Sequence, residues 1–340
     1  MQRHGLPALM LFCALTAVTG VAGAKDAETW RVEGKLVGKD KKSKDVSGIA
    51  CAPANGGQAR KCLVIDDNLQ AAQIVELHAD HLKTDKDQKV PLIRNEFGGE
   101  ALELDGEGVA YADGLFYVIG SHGHPRDKKG KLKSAEHADM VAARIAAASQ
   151  IVRVRLSPEG KGSVVPPVAS LTRAIEAEPA LAPFAGRRLE NDGVTIEGIA
   201  VRGDRLYAGF RGPPLDNGRA AVLAVDLGSA FGEAPAKPSR LFRLPVGERR
   251  GVRDLAVHGT KILVLVGPVG DEPGPSSIYE WDGESDEAIR SLGDLGALAG
   301  VSPKQKPEAI LPLDTTPSGL RVLVMFDGEE EGAPIVVTLP

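Results

Sequence analysis

The sequence predicts an all-β protein that folds as a five-bladed β-propeller. Three observations support this prediction: a short motif recurs five times, each copy precedes short apolar runs typical of strands, and a spare strand stands ahead of the first copy. Radial repetition of four-stranded units is characteristic of propellers, whereas a chain of this length without repeats would more often form two domains.

The repeated motif has a polar or charged residue, a small or polar residue, an aliphatic residue and a further small or aliphatic one. Its copies begin at intervals of 60, 90, 56 and 55 residues, at Ser47, Glu107, Glu197, Arg253 and Glu308. After a turn, each copy is followed by a run rich in Val, Ile, Leu and aromatic residues, which predicts a strand. These runs are Cys62–Ile65, Leu115–Ile119, Leu206–Phe210, Ile262–Val266 and Val322–Phe326.

Further strand candidates complete the blades and close the ring. In the third copy, for example, Ala221–Leu227 and Arg240–Leu244 follow the first two strands. The last copy has only three candidates, ending in Ile335–Leu339, while Thr29–Val37 is unused. We therefore expect the N-terminal strand to complete the last blade, because closure removes exposed sheet edges. Six blades are the alternative, since the 90-residue interval could contain another, and a β-sandwich is less favoured.

Two alanine-rich stretches lie in the long interval between the second and third motif copies. Residues 134–148 carry Ala, Met, Val and Ile at helical spacing, and residues 169–182 form a second candidate. We predict that both are short helices inserted into one propeller domain of residues 25–340. The first would share one end of the propeller with the corresponding loops of the other blades, where it could serve as a lid or simply pack.

The N-terminus has the pattern of a cleaved secretory signal. Arg3 precedes the apolar run Leu6–Val21, which ends in small residues before Lys25 and is short for a membrane span. We expect removal of residues 1–24 to give a periplasmic or secreted monomer with no membrane span. Loss of Arg3 leaves 40 basic against 46 acidic residues, which makes nucleic acid an unfavourable partner.

Two cysteines remain in the predicted mature chain. Cys51 and Cys62 flank the turn-forming stretch Pro53–Gly57, so they can face each other across a hairpin. In an oxidising compartment we predict a disulfide, with a pair of buried thiols as the alternative. A zinc site is disfavoured, because the two cysteines have no second pair to complete a tetrahedral site.

Strand geometry predicts where the charged residues gather. The motif opens the innermost strand and the second strand returns antiparallel to it, so the start of one and the end of the other share a face of the propeller. This places motif residues beside residues that leave the second strands, including Asp66, Asp67, Ser121, Arg211 and Asp327. Carboxylates gathered in this way repel one another unless cations or a bound metal compensate them.

The candidate catalytic residues at this end are Glu107, Glu197 and His122. Either glutamate could act as a general base or a metal ligand. The structural alternative is that such glutamates accept backbone hydrogen bonds and fix the ring. Ca²⁺ would suit a group of carboxylates, although the chain contains no loop of EF-hand spacing.

Candidate substrate-binding residues are mainly basic. Arg211, followed by Gly212 and two prolines, suits bidentate capture of a carboxylate or phosphate. The loop Gly120–Lys131 concentrates imidazole, guanidinium and ammonium groups and could hold an anion, unless it is simply a solvated basic loop. The remaining candidates at the same end are Arg253, Arg126, His124, Lys131, Asp254 and Glu308.

The motif-bearing segments together resemble the bacterial domain-of-unknown-function family 3616. They are Asp45–Ala50, Glu107–Ala110 with Gly120–Gly123, Glu197–Ala200 with Phe210–Gly212, and Arg253–Leu255. The likeness spans almost the whole mature chain and implies an exported, propeller-like protein without a settled activity. The Glu-Gly-Ile-Ala segments are also similar to those of the esterase-like phytase domain, but the second strands here end in Ser-His-Gly and Phe-Arg-Gly.

Two functions of different classes fit these observations. The first is a hydrolase of small anionic esters or lactones, in which the arginines and His122 hold the anion and Glu107 or Glu197 serves as base or metal ligand. The second is a non-catalytic periplasmic scaffold whose channel mouth captures a small anionic molecule or a peptide. No Gly-x-Ser-x-Gly elbow is present, so the sequence leaves open whether the protein is an enzyme.

Overall fold

Five antiparallel sheets dominate the computed structural model. It describes Met1 and residues 27–39, 41–54, 56–126 and 135–340. The inner strands contact one another in chain order, and the last contacts the first. The sheets therefore close into a ring of five blades, which confirms the five-bladed propeller over the six-bladed alternative. Residues 2–24 of the predicted signal peptide, and Lys131, lie outside the described residues.

Each blade contains four strands ordered from the channel outwards, and the sheet of blade 1 carries a fifth short strand, Arg31–Glu33, at its outer edge. The inner strands are Val46–Cys51, Gly106–Ala112, Thr195–Arg202, Arg250–His258 and Lys306–Thr316. The second strands are Arg60–Asp66, Leu115–Gly120, Arg205–Gly212, Lys261–Pro268 and Gly319–Asp327. The third strands are Ala71–Leu77, Ile151–Leu156, Arg219–Asp226, Ser277–Trp281 and Ile335–Leu339. The outer strands are His81–Pro91, Gly162–Ala169, Arg240–Pro245, Ile289–Asp294 and, in the fifth blade, Glu28–Thr29.

The N-terminal segment joins the last blade to the first. Glu28–Thr29 pairs antiparallel with the third strand of blade 5, and Arg31–Glu33 pairs in parallel with the outer strand of blade 1. The predicted closure of blade 5 is thus confirmed. The predicted single strand Thr29–Val37 is wrong, because the chain leaves one sheet for the other at the buried Trp30.

Helices, and not a sixth blade, fill the 90-residue interval. The first insertion contains a 3₁₀ turn, Ala135–His137, that leads into the α-helix Ala138–Ala148. The second is shorter and more broken than predicted, since only Thr172–Ala177 is α-helical. The remaining short elements are the 3₁₀ turns Ala182–Phe184, Leu189–Asn191 and Glu330–Gly332, the helices Leu227–Ala230 and Leu295–Ala299, and the hairpin strands Glu96–Phe97 and Glu100–Ala101. No helix in the described part of the chain is long and apolar enough to cross a membrane.

The small residue of the repeated motif is required where the inner strands crowd together. A Cβ atom on Gly48 would lie 3.0 Å from Gly108 Cα, and one on Gly108 would lie 3.0 Å from the backbone nitrogen of Ile199. A Cβ atom on Gly198 would likewise lie 2.9 Å from the backbone carbonyl carbon of Asp254 on the next inner strand. The motif therefore marks inter-blade packing, because a larger side chain there would push neighbouring blades apart.

The first two strands of blade 1 are also linked covalently. Cys51 lies directly opposite Cys62 in the strand register, and the two side chains form a disulfide. Both residues are buried. The predicted pairing of these cysteines is confirmed.

Candidate functional site

Every inner strand carries a β-bulge at the same position. In blade 2, Gly106 pairs with Gly120 and Gly108 pairs with Ile119, which leaves Glu107 without a partner in the ladder. The other four blades show the same shift at the first residue of the motif: Ser47, Glu197, Arg253 and Glu308. At a bulge, the side chain of the extra residue no longer follows the alternation between the two faces of the sheet and points in a new direction. The bulges therefore turn four charged side chains towards one another at the start of the inner strands.

Three of these side chains, Glu107, Glu197 and Glu308, line a cavity of about 370 Å³, here called the mouth cavity. Its acidic lining residues are Asp45, Asp67, Glu100, Glu103, Asp105, Glu107, Glu197, Glu308 and Asp327. Its basic lining residues are Lys39, Arg126, Arg144 and Lys306. Nine carboxyl groups against four strongly basic groups give the cavity a negative potential.

One half of the cavity is fully ion-paired around Glu197. Arg211 Nη1 lies 2.9 Å from Glu197 Oε1, and Arg253 Nε lies 2.8 Å from Oε2. A second nitrogen of Arg253 contacts Glu308. Burial alone would raise the pKa of Glu197, but the attraction of Arg211 and Arg253 outweighs it and lowers that pKa below its usual value. Glu197 is therefore a fixed, ionised carboxylate.

Blade 4 supplies further partners that hold Arg211 rigidly. Arg211 is 1% exposed, its Nε donates to the carbonyl of Val269 at 2.6 Å, and its Nη2 donates to the carbonyl of Gly270 at 2.7 Å. The same Nη2 lies 3.1 Å from the carboxylate of Asp271. Four of the five N–H donors of Arg211 thus have protein partners, so Arg211 positions Glu197 instead of offering a free guanidinium fork to an anion.

The other half of the cavity contains carboxyl groups that lack cationic partners. Glu107 is 9% exposed and makes no hydrogen bond or ion pair within the described residues. Burial, followed by the nearby charges of Asp105, Glu197 and Asp67, raises the pKa of Glu107 well above its usual value. A buried carboxyl group of this kind must either hold a proton or bind a cation.

Asp67 and Asp105 extend this unpaired half. Burial, and then the charge of Asp105, raises the pKa of Asp67 to about 9. Asp105 accepts a short hydrogen bond from Ser121, adopts a left-handed backbone with φ of 51°, and has a pKa raised mainly by burial. Neither aspartate forms an ion pair with a described residue, so three neighbouring carboxyl groups lack an ion-pair partner, and the more distant charge of Arg126 only partly opposes the raised pKa of Asp105.

The predicted residue His122 lies beside the site but does not line the cavity. Its Nδ1 is 2.9 Å from the carbonyl of Gly120, and its Nε2 accepts a hydrogen bond from the backbone of Leu171 at 3.0 Å. Burial lowers the pKa of His122 to about 4. His122 is therefore neutral, with both ring nitrogens engaged, and it fastens the end of the second strand to the segment that follows blade 2.

The other predicted residues fall into two groups. His124 and Arg126 line the mouth cavity, and Arg126 Nη1 lies 3.7 Å from Asp271. Asp254 instead faces the blades, where its two oxygens accept backbone hydrogen bonds from Leu255 and Ile310, both at 2.7 Å. Asp254 thus occupies the small-residue position of the motif and joins blade 4 to blade 5.

Sequence reasoning missed several charged residues of the site, among them Lys39, Glu100, Glu103, Arg144, Asp105, Lys306 and Asp271. Asp105 comes two positions before Glu107, and Lys306 comes two before Glu308, so proximity to the motif could have indicated both. Lys306 lies 3.5 Å from Asp327 and neutralises it. Asp271 had no such signal, because it approaches Arg211 only through the loop that follows the second strand of blade 4.

Comparisons with known proteins bear mainly on the family and the fold. A family model described as "Protein of unknown function (DUF3616)" matches residues 60–163 and 165–333. No curated protein matches the chain. The likeness to the esterase-like phytase domain thus stays a resemblance in sequence.

Similar solved structures are distant from this chain. A hypothetical protein from Leishmania major is 10% identical, with 94% of this chain and 90% of that chain covered and a TM-score of 0.43. A thermostable family-43 glycoside hydrolase is 9% identical, with 87% and 88% covered and a TM-score of 0.40. The catalytic domain of a Coprinopsis cinerea GH62 alpha-L-arabinofuranosidase is 11% identical, with 92% and 97% covered and a TM-score of 0.39. These values are too low to transfer any site or activity.

Proposed function

The chain belongs to the DUF3616 family of proteins of unknown function, and we propose that it is a hydrolase of a small ester or lactone. The reaction would take place in the mouth cavity. The cavity volume of about 370 Å³ suits a small polar molecule. The propeller fold and the carboxyl groups gathered at the channel mouth support this proposal.

The observation that carries this proposal is the contrast between two equivalent glutamates. Glu107 and Glu197 occupy the same bulge position on neighbouring inner strands. Arg211 and Arg253 hold Glu197 in place, whereas Glu107 faces the cavity without a partner. A hydrolytic site needs a group that can contact the attacking water and a rigid surround that keeps this group in position. Glu107 provides the first, and the Glu197 cluster provides the second.

The reaction itself requires no covalent intermediate. The oxygen of water would add to the carbonyl carbon of the substrate, the carbon–oxygen bond to the leaving alcohol would break, and a proton from water would pass to the leaving oxygen. Glu107 would form a hydrogen bond to that water, and its carboxyl group would end each turnover in the protonation state in which it began. Arg126 and Arg144 line the same cavity, and they are the cations we assign to an anionic group of the substrate.

The test compares two conservative substitutions on a panel of substrates. Acyl ester, lactone, phosphomonoester and phytate would be assayed with the wild type, Glu107→Gln and Glu287→Gln. Glu287 is an exposed residue paired with Arg219 away from the mouth cavity, so its variant should retain the wild-type rate. We expect Glu107→Gln to lower kcat/KM for an ester or lactone by about 100-fold or more.

Two outcomes would contradict the hydrolase. Equal rates in the wild type and Glu107→Gln would remove Glu107 from the reaction. Binding of a panel compound at the mouth cavity without turnover would favour the non-catalytic scaffold instead.

We also propose that the mature protein acts outside the cytoplasm. The disulfide between Cys51 and Cys62 supports this, because such bonds persist mainly in oxidising compartments. Cell fractionation with detection of the processed N-terminus would test the proposal. Recovery of the unprocessed chain in the cytoplasmic fraction would overturn it.

A further inference from the structure

The unpaired half of the mouth cavity is the part of the molecule whose charges the described residues do not balance. Lys306 pairs with Asp327, Lys39 pairs with Glu103, and the two buried arginines serve Glu197 and Glu308. After these pairs are formed, Asp67, Asp105 and Glu107 still face one cavity. Burying several carboxylates without cations is unfavourable by several kcal/mol for each charge, so such a group requires compensation.

Blade 1 adds a compact oxygen-rich cluster to this half. One carboxylate oxygen from each of Asp45, Asp66 and Asp67 lies within 4.8 Å of the other two. This separation is short enough for one ion to contact all three, because calcium–oxygen distances are about 2.3–2.6 Å. Ser43 donates to Asp66 at 2.6 Å, and Asn68 donates to Asp67 at 2.6 Å, so both carboxylates are held in place.

Glu107 provides an independent reason to place a ligand here. It is 9% exposed, it lines the same cavity as Asp45 and Asp67, and it has no hydrogen-bond or ion-pair partner among the described residues. The β-bulge turns it towards the cavity in place of its usual position in the ladder. A buried, unpartnered carboxyl group aimed into a cavity indicates that something absent from the protein chain contacts it.

We infer that Asp45, Asp66 and Asp67 bind one divalent cation of the Ca²⁺ type at the wall of the mouth cavity that Glu107 also lines. All three ligands offer oxygen, which suits Ca²⁺ and disfavours Zn²⁺, since zinc sites commonly include His or Cys. The open side of the cavity admits the water molecules that complete a calcium coordination shell of six to eight.

The cation deepens the proposed hydrolase, and its catalytic consequence rests on that proposal. A divalent ion beside Glu107 would polarise the substrate carbonyl or lower the pKa of the attacking water. It would also give an anionic ester or lactone a further positive partner beside Arg126 and Arg144. The binding site itself stands on the contacts above and can be tested without turnover.

Calcium titration of the full mature chain tests the site directly. After treatment with chelator and its removal, isothermal titration with CaCl₂ should show one site per chain, and Ca²⁺ should raise the melting temperature by several degrees. Asp67→Asn should weaken binding at least about tenfold, as expected for loss of one charged ligand. The matched control Asp314→Asn removes an exposed carboxylate paired with Arg321 and should bind as the wild type does.

The outcomes separate this site from the hydrolase. No heat and no shift in melting temperature at millimolar CaCl₂ would overturn the cation site, as would unchanged affinity in a folded Asp67→Asn. If Asp67→Asn does not fold, Asp45→Asn replaces it with the same expectation. Turnover that persists in chelator would leave the hydrolase standing without the ion, whereas calcium binding without turnover of any panel compound would retain the site and reject the hydrolase.

Discussion

In both halves of the mouth cavity a glutamate occupies the β-bulge of an inner strand, but its charge is balanced in only one of them. Glu107 and Glu197 both occupy the bulge of an inner strand and are both largely buried. Glu197 meets two arginines, whereas Glu107 meets Asp105 and Asp67. The repeat of the propeller determines where each side chain points, and the loops of neighbouring blades determine whether its charge is balanced.

This difference suggests that the paired half has a structural role and that the unpaired half is the side of the proposed reaction. The paired half fixes blades 3, 4 and 5 to one another, since Arg253 contacts both Glu197 and Glu308. The unpaired half retains reactive groups that the fold tolerates at a cost. Perturbed and uncompensated carboxyl groups are more common at functional sites than in structural clusters. The comparison therefore favours the side of blades 1 and 2 as the place of the proposed reaction.

Removal of one arginine should break the paired half and give the largest effect. We expect Arg211→Ala to lower the free energy of unfolding by about 3–5 kcal/mol, because it leaves Glu197 buried with less compensation. Urea unfolding followed by circular dichroism would measure the loss. The control Arg219→Ala removes an arginine paired with Glu287 at the surface and should cost only about 0–1 kcal/mol.

The double variant Arg211→Ala with Glu197→Gln should recover part of this loss, since a neutral amide needs no cation. An Arg211→Ala variant that unfolds at the same urea concentration as Arg219→Ala would show that the pair contributes little. The two halves of the cavity would then differ less than the contacts indicate.

The architecture was predictable from sequence because packing at the channel axis leaves a local pattern. Gly48, Gly108 and Gly198 are small because a Cβ atom on any of them would lie only about 3 Å from the backbone of the next inner strand. The aliphatic runs that follow them are second strands, and the missing strand of blade 5 implied closure by the N-terminus. Strand direction alone then predicted that Glu107 and Glu197 would share one end of the channel.

The sequence could not predict which charges are paired, because the pairs join residues far apart in the chain. Arg211 meets the carbonyl of Val269 through a contact between blades 3 and 4, and no spacing rule links these positions. The sequence also could not predict the role of His122, because its ring contacts the backbone of Leu171, 49 residues further along the chain. Its left-handed backbone, with φ of 53°, turns the ring towards Leu171 and away from the cavity.

A change of pH should distinguish Asp67 from Glu197 next. The pKa of Asp67 is raised to about 9, so between its ordinary pKa and about 9 the folded protein binds a proton that the unfolded chain does not. Stability should therefore fall as pH rises through this window. The lowered pKa of Glu197 gives no such slope, because Glu197 is ionised in both states above its ordinary pKa.

Thermal melts of the chelator-treated protein from about pH 6 to about pH 8.5 would measure this dependence. The melting temperature should decline with pH in the wild type, whereas Asp67→Asn should show a shallower decline. Saturating CaCl₂ should also flatten the profile, because the ion replaces the proton as the compensating charge. A melting temperature that rises over this interval would contradict the raised pKa of Asp67.

The smallest expected effect gives the sharpest comparison of the two halves, because the same Glu→Gln substitution is made in each of them. Glu107→Gln in chelator should raise the melting temperature by about 1–3 °C, since it removes a carboxyl group that no described cation balances. Glu197→Gln should lower the melting temperature, because Arg211 and Arg253 would lose the carboxylate that both contact. The two variants have the same change in side-chain chemistry and the same position in the β-bulge. Shifts of the same sign would mean that the bulge position, and not the pairing of its charge, controls stability at the channel mouth.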